Sequence, residues 1–289
     1  MYTHSILVVL AGDHRPLAGT KGKGGCVLCY SFSQPLANLK GNKEMMKLKA
    51  LLLPMLFLIF SCDTPGEPDC AGISGGDAVE DACGVCEGDG SNCIFDIDGN
   101  AYQTIQIGGQ LWMAENLKVT HYNDGSEITH IINSDYWGSY VEGQYGVYDN
   151  DPSNADIYGN LYNFAAVDDD RGVCPDGWHV PTDAEYTVLT DYLGGTSVAG
   201  GKMKETGLDH WNSPNTGATN ESGFTGLPAG YRSSTNGAYG NMGNYGYFWS
   251  SSEGNSDYAW SRRLYSNYSY VYRYSNYEQN GFSIRCLRD

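Results

Sequence analysis

Short apolar runs alternate with long polar stretches along this chain, and only a few of the runs have a readable period. Asp98-Gly99-Asn100 is a turn signal, and Tyr102, Thr104-Ile105 and Ile107 then alternate as in a strand. Pro181-Thr182-Asp183-Ala184-Glu185 predicts a helix start, with Thr182 as N-cap and Glu185 as its capping-box partner. Tyr186, Leu189 and Leu193 continue at helical spacing until Gly194-Gly195 stops the helix. Beyond Trp211 the chain is rich in Gly, Asn and Ser, with Leu227 to Arg232 and Phe248 to Ser251 as islands of strand. Gly281 to Arg288 alternates apolar with polar positions and reads as a closing strand. Few short strands, one or two helices and long Gly/Asn/Ser-rich loops predict an α+β domain over residues 95–289.

The run from Ala50 to Phe60 has a different meaning. Lys47 and Lys49 precede it, and Ile59-Phe60-Ser61 brings a small residue directly before Cys62. That order of positive region, apolar run, small residue and cysteine is that of a bacterial lipoprotein signal, whose thiol carries the diacylglyceryl group. The run is too short to cross a ~30 Å hydrocarbon core as a helix. A buried core helix is opposed by Pro54 and by the Gly/Asp/Pro-rich sequence after Cys62. Residues 45–61 are therefore read as a signal peptide and Cys62 as the lipidation site, with more than one acyl chain giving stable anchoring. Residues 1–44 are Gly- and Lys-rich, hold an isolated Cys26/Cys29 pair and have no sustained apolar period. They are read as a misassigned upstream extension and expected to be disordered.

Charge narrows the choice of partner. The chain has 17 Lys+Arg against 34 Asp+Glu, a net charge of −17. Residues 1–61 hold Arg15, Lys21, Lys23, Lys40, Lys43, Lys47 and Lys49 but only Asp13 and Glu44, so the remainder is more acidic still. Nucleic acid is excluded as a partner, and the membrane is reached through the lipid alone. With 38 Gly and 23 Tyr, the composition suits a loop-rich extracellular domain packed on aromatic side chains.

Cys70, Cys83, Cys86 and Cys93 crowd an acidic spacer, residues 62–94, that has almost no large apolar side chains. Two disulfides are expected to order it, with all three pairings open, and a Cys₄ zinc knot is the alternative. Asp77, Asp81 and Asp89 are calcium candidates, but no complete EF-hand loop is present and a solvated stalk is the expectation. Cys174 and Cys286 stand alone in the larger region and are expected to bond, tying its middle to its last strand. His121, His130, His179 and His210 form no HxxxH or HxH pair, and Asp168-Asp169-Asp170 reads as a solvated loop. No nucleophile elbow or phosphate loop is present, and no cofactor is expected, calcium aside.

Four further motifs occur in order: Gln110-Leu111-Trp112-Met113-Ala114-Glu115-Asn116-Leu117, Tyr158-Gly159-Asn160-Leu161-Tyr162-Asn163, Cys174-Pro175 through Gly177-Trp178-His179-Val180-Pro181-Thr182, and Gly281-Phe282-Ser283-Ile284-Arg285-Cys286. Together they resemble the Fibrobacter succinogenes major paralogous domain. The resemblance implies a C-type-lectin-like fold related to the formylglycine-generating enzymes; Trp112, Trp178, Pro181 and Trp249 are expected to be structural. It also implies a secreted or lipid-anchored protein of largely unknown function; with the lipoprotein signal before Cys62, the expected location is the outer membrane or cell surface of a Gram-negative-type bacterium. The related oxidases use a cysteine pair in an open site, whereas Cys174 and Cys286 are read here as a bridge.

From Tyr258 to Asn280 the chain is dominated by Tyr, Ser and Asn. Tyr268, Tyr270, Tyr272 and Tyr274 occupy alternate positions, so in one extended strand they share a face opposite Ser269, Val271, Arg273 and Ser275. Tyrosine offers contact area at low entropic cost, and Ser and Asn adapt by hydrogen bonding. With Tyr265, Asn267, Tyr277 and Asn280, these tyrosines form the expected site of a non-catalytic, surface-displayed binding protein whose ligand is a glycan or a cell-surface protein. A carbohydrate-active or formylglycine-generating-type enzyme and a structural cell-envelope protein are the alternatives.

Overall fold

A computed structural model of the chain describes residues 67–138 and 142–289. The upstream extension, the signal peptide and Cys62 lie outside the described residues. The first described stretch is built from a repeat. Asp69, Gly72, Ile73, Gly76 and Asp77 recur twelve positions later as Asp81, Gly84, Val85, Gly88 and Asp89, and each copy folds around its first carboxylate. Asp69 accepts from the amides of Ala71, Ile73 and Ala78, and Asp81 accepts in the same way from Cys83, Val85 and Gly90. Disulfide Cys70–Cys86 cross-links the two copies, and Cys83–Cys93 ties the second copy to the strand that follows it. These bonds supply the order that a segment without an apolar core cannot generate by burial.

The elements that follow are short. They are β1 (Cys93–Phe95), β2 (Ala101–Ile107), β3 (Gln110–Met113), β4 (Thr129–His130), β5 (Gln144–Gly146), α1 (Pro152–Tyr158), β6 (Leu161–Tyr162), α2 (Phe164–Val167) and β7 (Trp178–His179). Next come α3 (Asp183–Tyr192), α4 (Thr196–Met203), β8 (Tyr231–Arg232), β9 (Tyr239–Gly240), β10 (Tyr245–Asn255), β11 (Tyr258–Tyr265), β12 (Tyr272–Tyr277) and β13 (Leu287–Arg288). The class is α+β, with four α-helices among the described residues, not the one or two expected. The expected turn joins β1 to β2, where Gly99 takes φ +79° and the Asp96 carboxylate accepts from the Asn100 amide. The capping box at α3 is present in both directions between Thr182 and Glu185.

A five-stranded sheet runs in the order β1-β2-β3-β13-β7, so the last strand lies between β3 and β7, with Leu287 opposite both Trp112 and His179. The closing strand is shorter than its alternation predicts: only Leu287–Arg288 pairs as a strand. From Phe282 to Cys286 every side chain is buried, polar and apolar alike, because the segment runs through the core and not along its edge. Arg285 is accommodated there by Asn116 Oδ1 at 2.7 Å, by the carbonyls of Thr225, Met113 and Phe224, and by the Phe224 ring beneath its guanidinium.

The second major sheet is the antiparallel β10-β11-β12. Phe248 and Trp249 are successive on β10 and so point to opposite faces, each into its own core. Trp249 packs with Phe164 and Phe282, and Phe248 packs against Phe224. Trp112 and Trp249 are fully buried and Pro181 is buried, while Trp178 is half-buried. Cys174 and Cys286 are joined by a disulfide with their Cα atoms 5.9 Å apart.

Candidate binding surface

One face of the β10-β11-β12 sheet carries a belt of tyrosines that begins inside the core and ends in solvent. Strand register sets it out: Tyr245 lies opposite Tyr265, Tyr247 opposite Arg263, and Arg263 opposite Tyr272. Tyr247 stacks on Phe282 at 4.7 Å and is buried. Across the sheet the cover thins, so Tyr265 and Tyr272 are half-buried and Tyr274, Tyr270 and Tyr268 are 39, 43 and 44 % exposed. Ring contacts are continuous along this row. Tyr265 meets Tyr245 at 4.6 Å and Tyr272 at 4.7 Å, and Tyr272 meets Tyr274 at 5.9 Å, Tyr270 at 5.8 Å and Tyr268 at 6.1 Å. Aromatic pairs at these spacings hold one another in place, which lowers the entropic cost of presenting them. Burial pushes the Tyr265 phenol up to about 12, so it remains a hydrogen-bond donor at neutral pH.

The tyrosines do not come from one strand, as their alternation suggested. Tyr268 and Tyr270 sit on the loop between β11 and β12, and only Tyr272 and Tyr274 are in β12. The loop is clamped through its backbone. Gly201 N–H donates to the Ser269 carbonyl at 3.0 Å, and Val271 N–H donates to the Thr196 carbonyl at 2.9 Å. The Gly200-Gly201 pair makes this approach possible: a Cβ on Gly200 would sit 2.2 Å from the Tyr270 carbonyl oxygen. Buried Lys204 completes the clamp, donating to the carbonyls of Thr216, Tyr265 and Tyr268 at 2.9 to 3.0 Å. Backbone anchoring leaves the Tyr268 and Tyr270 side chains free to face outward.

Asn267 is exposed on the same loop. Tyr277 and Asn280 lie elsewhere. Tyr277 pairs with Tyr258 at 4.3 Å on the opposite face of the sheet, and Asn280 accepts from the Ser234 amide. That opposite face is built on charge. Arg262 and Arg273 both donate to Asp183 at the start of α3, and Arg273 stacks 3.3 Å from the Trp260 ring centroid. Burial opposes ionisation of Asp183, but the two guanidiniums hold its carboxyl below the ordinary value.

The sequence reading missed Arg263, Lys204 and the glycine pair of α4. Arg263 was legible only as one more charge in a tyrosine tract, and Lys204 as a surface lysine. The signal for both is strand register and helix packing, which no local pattern encodes.

The histidines among the described residues are dispersed: His121 pairs with Asp98 at 2.6 Å, His210 with Glu205 at 2.9 Å, and His179 sits between Asp289 at 2.6 Å and Glu185 at 3.1 Å. His130 stacks on Tyr145 at 4.5 Å, and with His121 and Glu127 it lines an open cleft. Of the calcium candidates, Asp81 spends its carboxylate on three backbone amides, Asp89 accepts from Ser91, and Asp77 is exposed. Among the described residues no three His, Cys, Asp or Glu side chains gather around a common point that could hold a metal ion. None of the helices among them is long and apolar enough to cross a membrane.

Residues 105–288 match the family model of the Fibrobacter succinogenes major domain. No curated protein and no solved structure matches the chain.

Proposed function

The chain belongs to the Fibrobacter succinogenes major domain family, and from that premise we propose that it is a non-catalytic binding protein, displayed at the cell surface, that recognises a glycan or protein ligand through its tyrosine belt. The observation that carries this reading is the exposure of Tyr268, Tyr270 and Tyr274 on a backbone-clamped loop and strand. A purely structural envelope protein would seal such side chains inside. Three disulfides favour an oxidising compartment, and the lipoprotein signal order before Cys62 favours anchoring at the outer membrane, with residues 62–94 as the stalk. A C-type-lectin-like architecture is supported by the pairing of β13 beside β3, which brings the two ends of the domain together around long loops. Against an oxidase of the formylglycine-generating type, Cys174 and Cys286 spend their thiols on a buried bridge.

The test is to change Tyr265, Tyr268, Tyr270 and Tyr272 together to Ala in the full chain and screen it, beside the wild type, on glycan and surface-protein arrays. Loss of the wild-type signals in a variant that keeps its near-ultraviolet circular dichroism supports the reading. Retention of all of them defeats it.

A further inference from the structure

Charge along this acidic chain is segregated. Between Ser222 and Tyr277 the only carboxylate side chains are Glu253 and Asp257, and the same stretch holds Arg232, Arg262, Arg263 and Arg273. Three of these arginines are spoken for. Arg262 and Arg273 share Asp183, and Arg232 is buried among carbonyl oxygens with its guanidinium over Trp137 and Tyr239. Arg263 differs. It stands in the middle of the belt, half-buried, with its guanidinium carbon 4.3 Å from the Tyr247 ring centroid and 4.6 Å from that of Tyr274. No ion pair neutralises it among the described residues. Its terminal nitrogens donate to Tyr265 Oη at 3.1 Å and Asn276 Oδ1 at 3.4 Å, and its Nε, sealed from solvent, has no partner.

A guanidinium presents five N–H donors, and two are used here. The surrounding rings attract the cation through their π faces and hold it rigid, but they accept no conventional hydrogen bonds in the guanidinium plane. A half-buried cation of this kind, in a stretch with only two carboxylate side chains between Ser222 and Tyr277, lacks an anion. Arginine binds carboxylates and sulfates by paired hydrogen bonds, and flat phenol rings stack on the apolar faces of sugar rings. Building on the binding role proposed above, we infer that the belt takes a polysaccharide carrying acidic groups, carboxylate or sulfate, with Arg263 as the residue that recognises the anion.

The test measures binding of the full chain to polygalacturonate, to a sulfated galactan and to neutral dextran by affinity electrophoresis at low and high salt. The wild type is expected to bind at least one acidic polymer, more weakly as salt rises, and dextran far less. Arg263→Gln should weaken the acidic polymer about tenfold, the size of one lost charge-assisted hydrogen bond, and Arg263→Lys should recover part of it. The two acidic arms tell carboxylate from sulfate. Equal binding of dextran, or acidic-polymer binding that Arg263→Gln leaves unchanged in a folded protein, overturns the inference and spares the belt if the tyrosine variant still loses binding. If the wild type binds no polysaccharide, the inference falls and the belt reading is judged on protein ligands alone.

Discussion

The buried Lys204 ammonium donates to the carbonyl oxygen of Tyr265 at 2.9 Å, so a residue in the segment leaving α4 fixes the backbone from which the aromatic belt projects. Together with its bonds to Thr216 and Tyr268, this makes one amine the junction of three chain segments.

Replacing Lys204 with Met should therefore strand three carbonyls and cost about 1–3 kcal/mol for each one that finds no water. Amide exchange at Gly201 and Val271, which pin the tyrosine loop, should accelerate. Burial lowers Lys204 to about 8 from its ordinary 10.5. Between those values the unfolded chain keeps a proton that the folded chain has released, so this group's contribution to stability rises with pH across the window and is flat below it. Urea midpoints of the wild type should gain on those of Lys204→Met from pH 8 to 10. A constant gap would show that the amine does not titrate on unfolding.

The spacer repeat predicts a different pH response. The Val85 amide is the largest influence holding the Asp81 carboxyl below 3.8, and the amides of Cys83 and Gly90 add to it. A depressed carboxyl stabilises its loop above the unfolded value, and that contribution is lost as pH falls through the folded one. The amide resonances of Val85 and Gly90 should thus titrate together with a midpoint below 3.8. Gly88→Ala should abolish this concerted shift, since a Cβ there would sit 2.0 Å from Asp81 Oδ2. Independent midpoints for the two amides would refute a shared carboxylate.

What could be read from sequence follows the range of the interaction. The Thr182–Glu185 box and the Asp98-Gly99-Asn100 turn are closed by bonds within a few residues, so their patterns survive without knowledge of the fold. The start of α1 is equally local, with the Asp151 side chain accepting from the Ser153 amide beside Pro152, and its signal is legible in the sequence. The twelve-residue repeat was also legible, in the paired Asp and Gly positions, and was obscured because its cysteines do not repeat in register. The closing segment failed for a physical reason: alternation predicts a half-buried strand only where one face meets water, and Ser283 and Arg285 instead turn into polar niches of the core. Only strand pairing could reveal the belt's composition, because Arg263, Tyr247 and Tyr272 meet across three strands.

His179 bridges the C-terminal residue Asp289 and the capping-box residue Glu185. Partial burial pulls its pKa down, but hydrogen bonds to Asp289 and Glu185 outweigh this and raise it. A raised histidine stabilises the fold below its unfolded value, and that contribution disappears as pH rises through the folded one. Asp289 is well exposed and Glu185 and His179 are each about a third exposed, so screening limits the effect to about 1 kcal/mol or less. His179→Gln should lose stability to heat at pH 5.5 and match the wild type at pH 8.5. An equal deficit at both pH values would point to packing and not to charge.

The Cys174–Cys286 bridge closes a loop with a sequence separation of 112. In the chain-entropy picture a loop of that length removes about 4–5 kcal/mol of unfolded-state freedom. Both sulfurs are buried, so the folded protein should show neither thiol to a water-soluble disulfide reagent and resist mild reductant. The double variant Cys174→Ser, Cys286→Ser separates the crosslink from the packing: it keeps near-isosteric side chains but places two hydroxyls in an apolar site, adding about 1–3 kcal/mol of desolvation cost. Cys174→Ala, Cys286→Ala avoids the hydroxyls and should unfold at a urea midpoint between those of the serine variant and the wild type. The loss should extend to ligand binding at working temperature, because Cys286 lies three residues beyond Ser283, whose carbonyl accepts from the Trp249 amide and so fixes β10 beneath the belt. Unfolding midpoints of the alanine variant and wild type that coincide under non-reducing conditions would show that the aromatic core holds the two ends together without the crosslink.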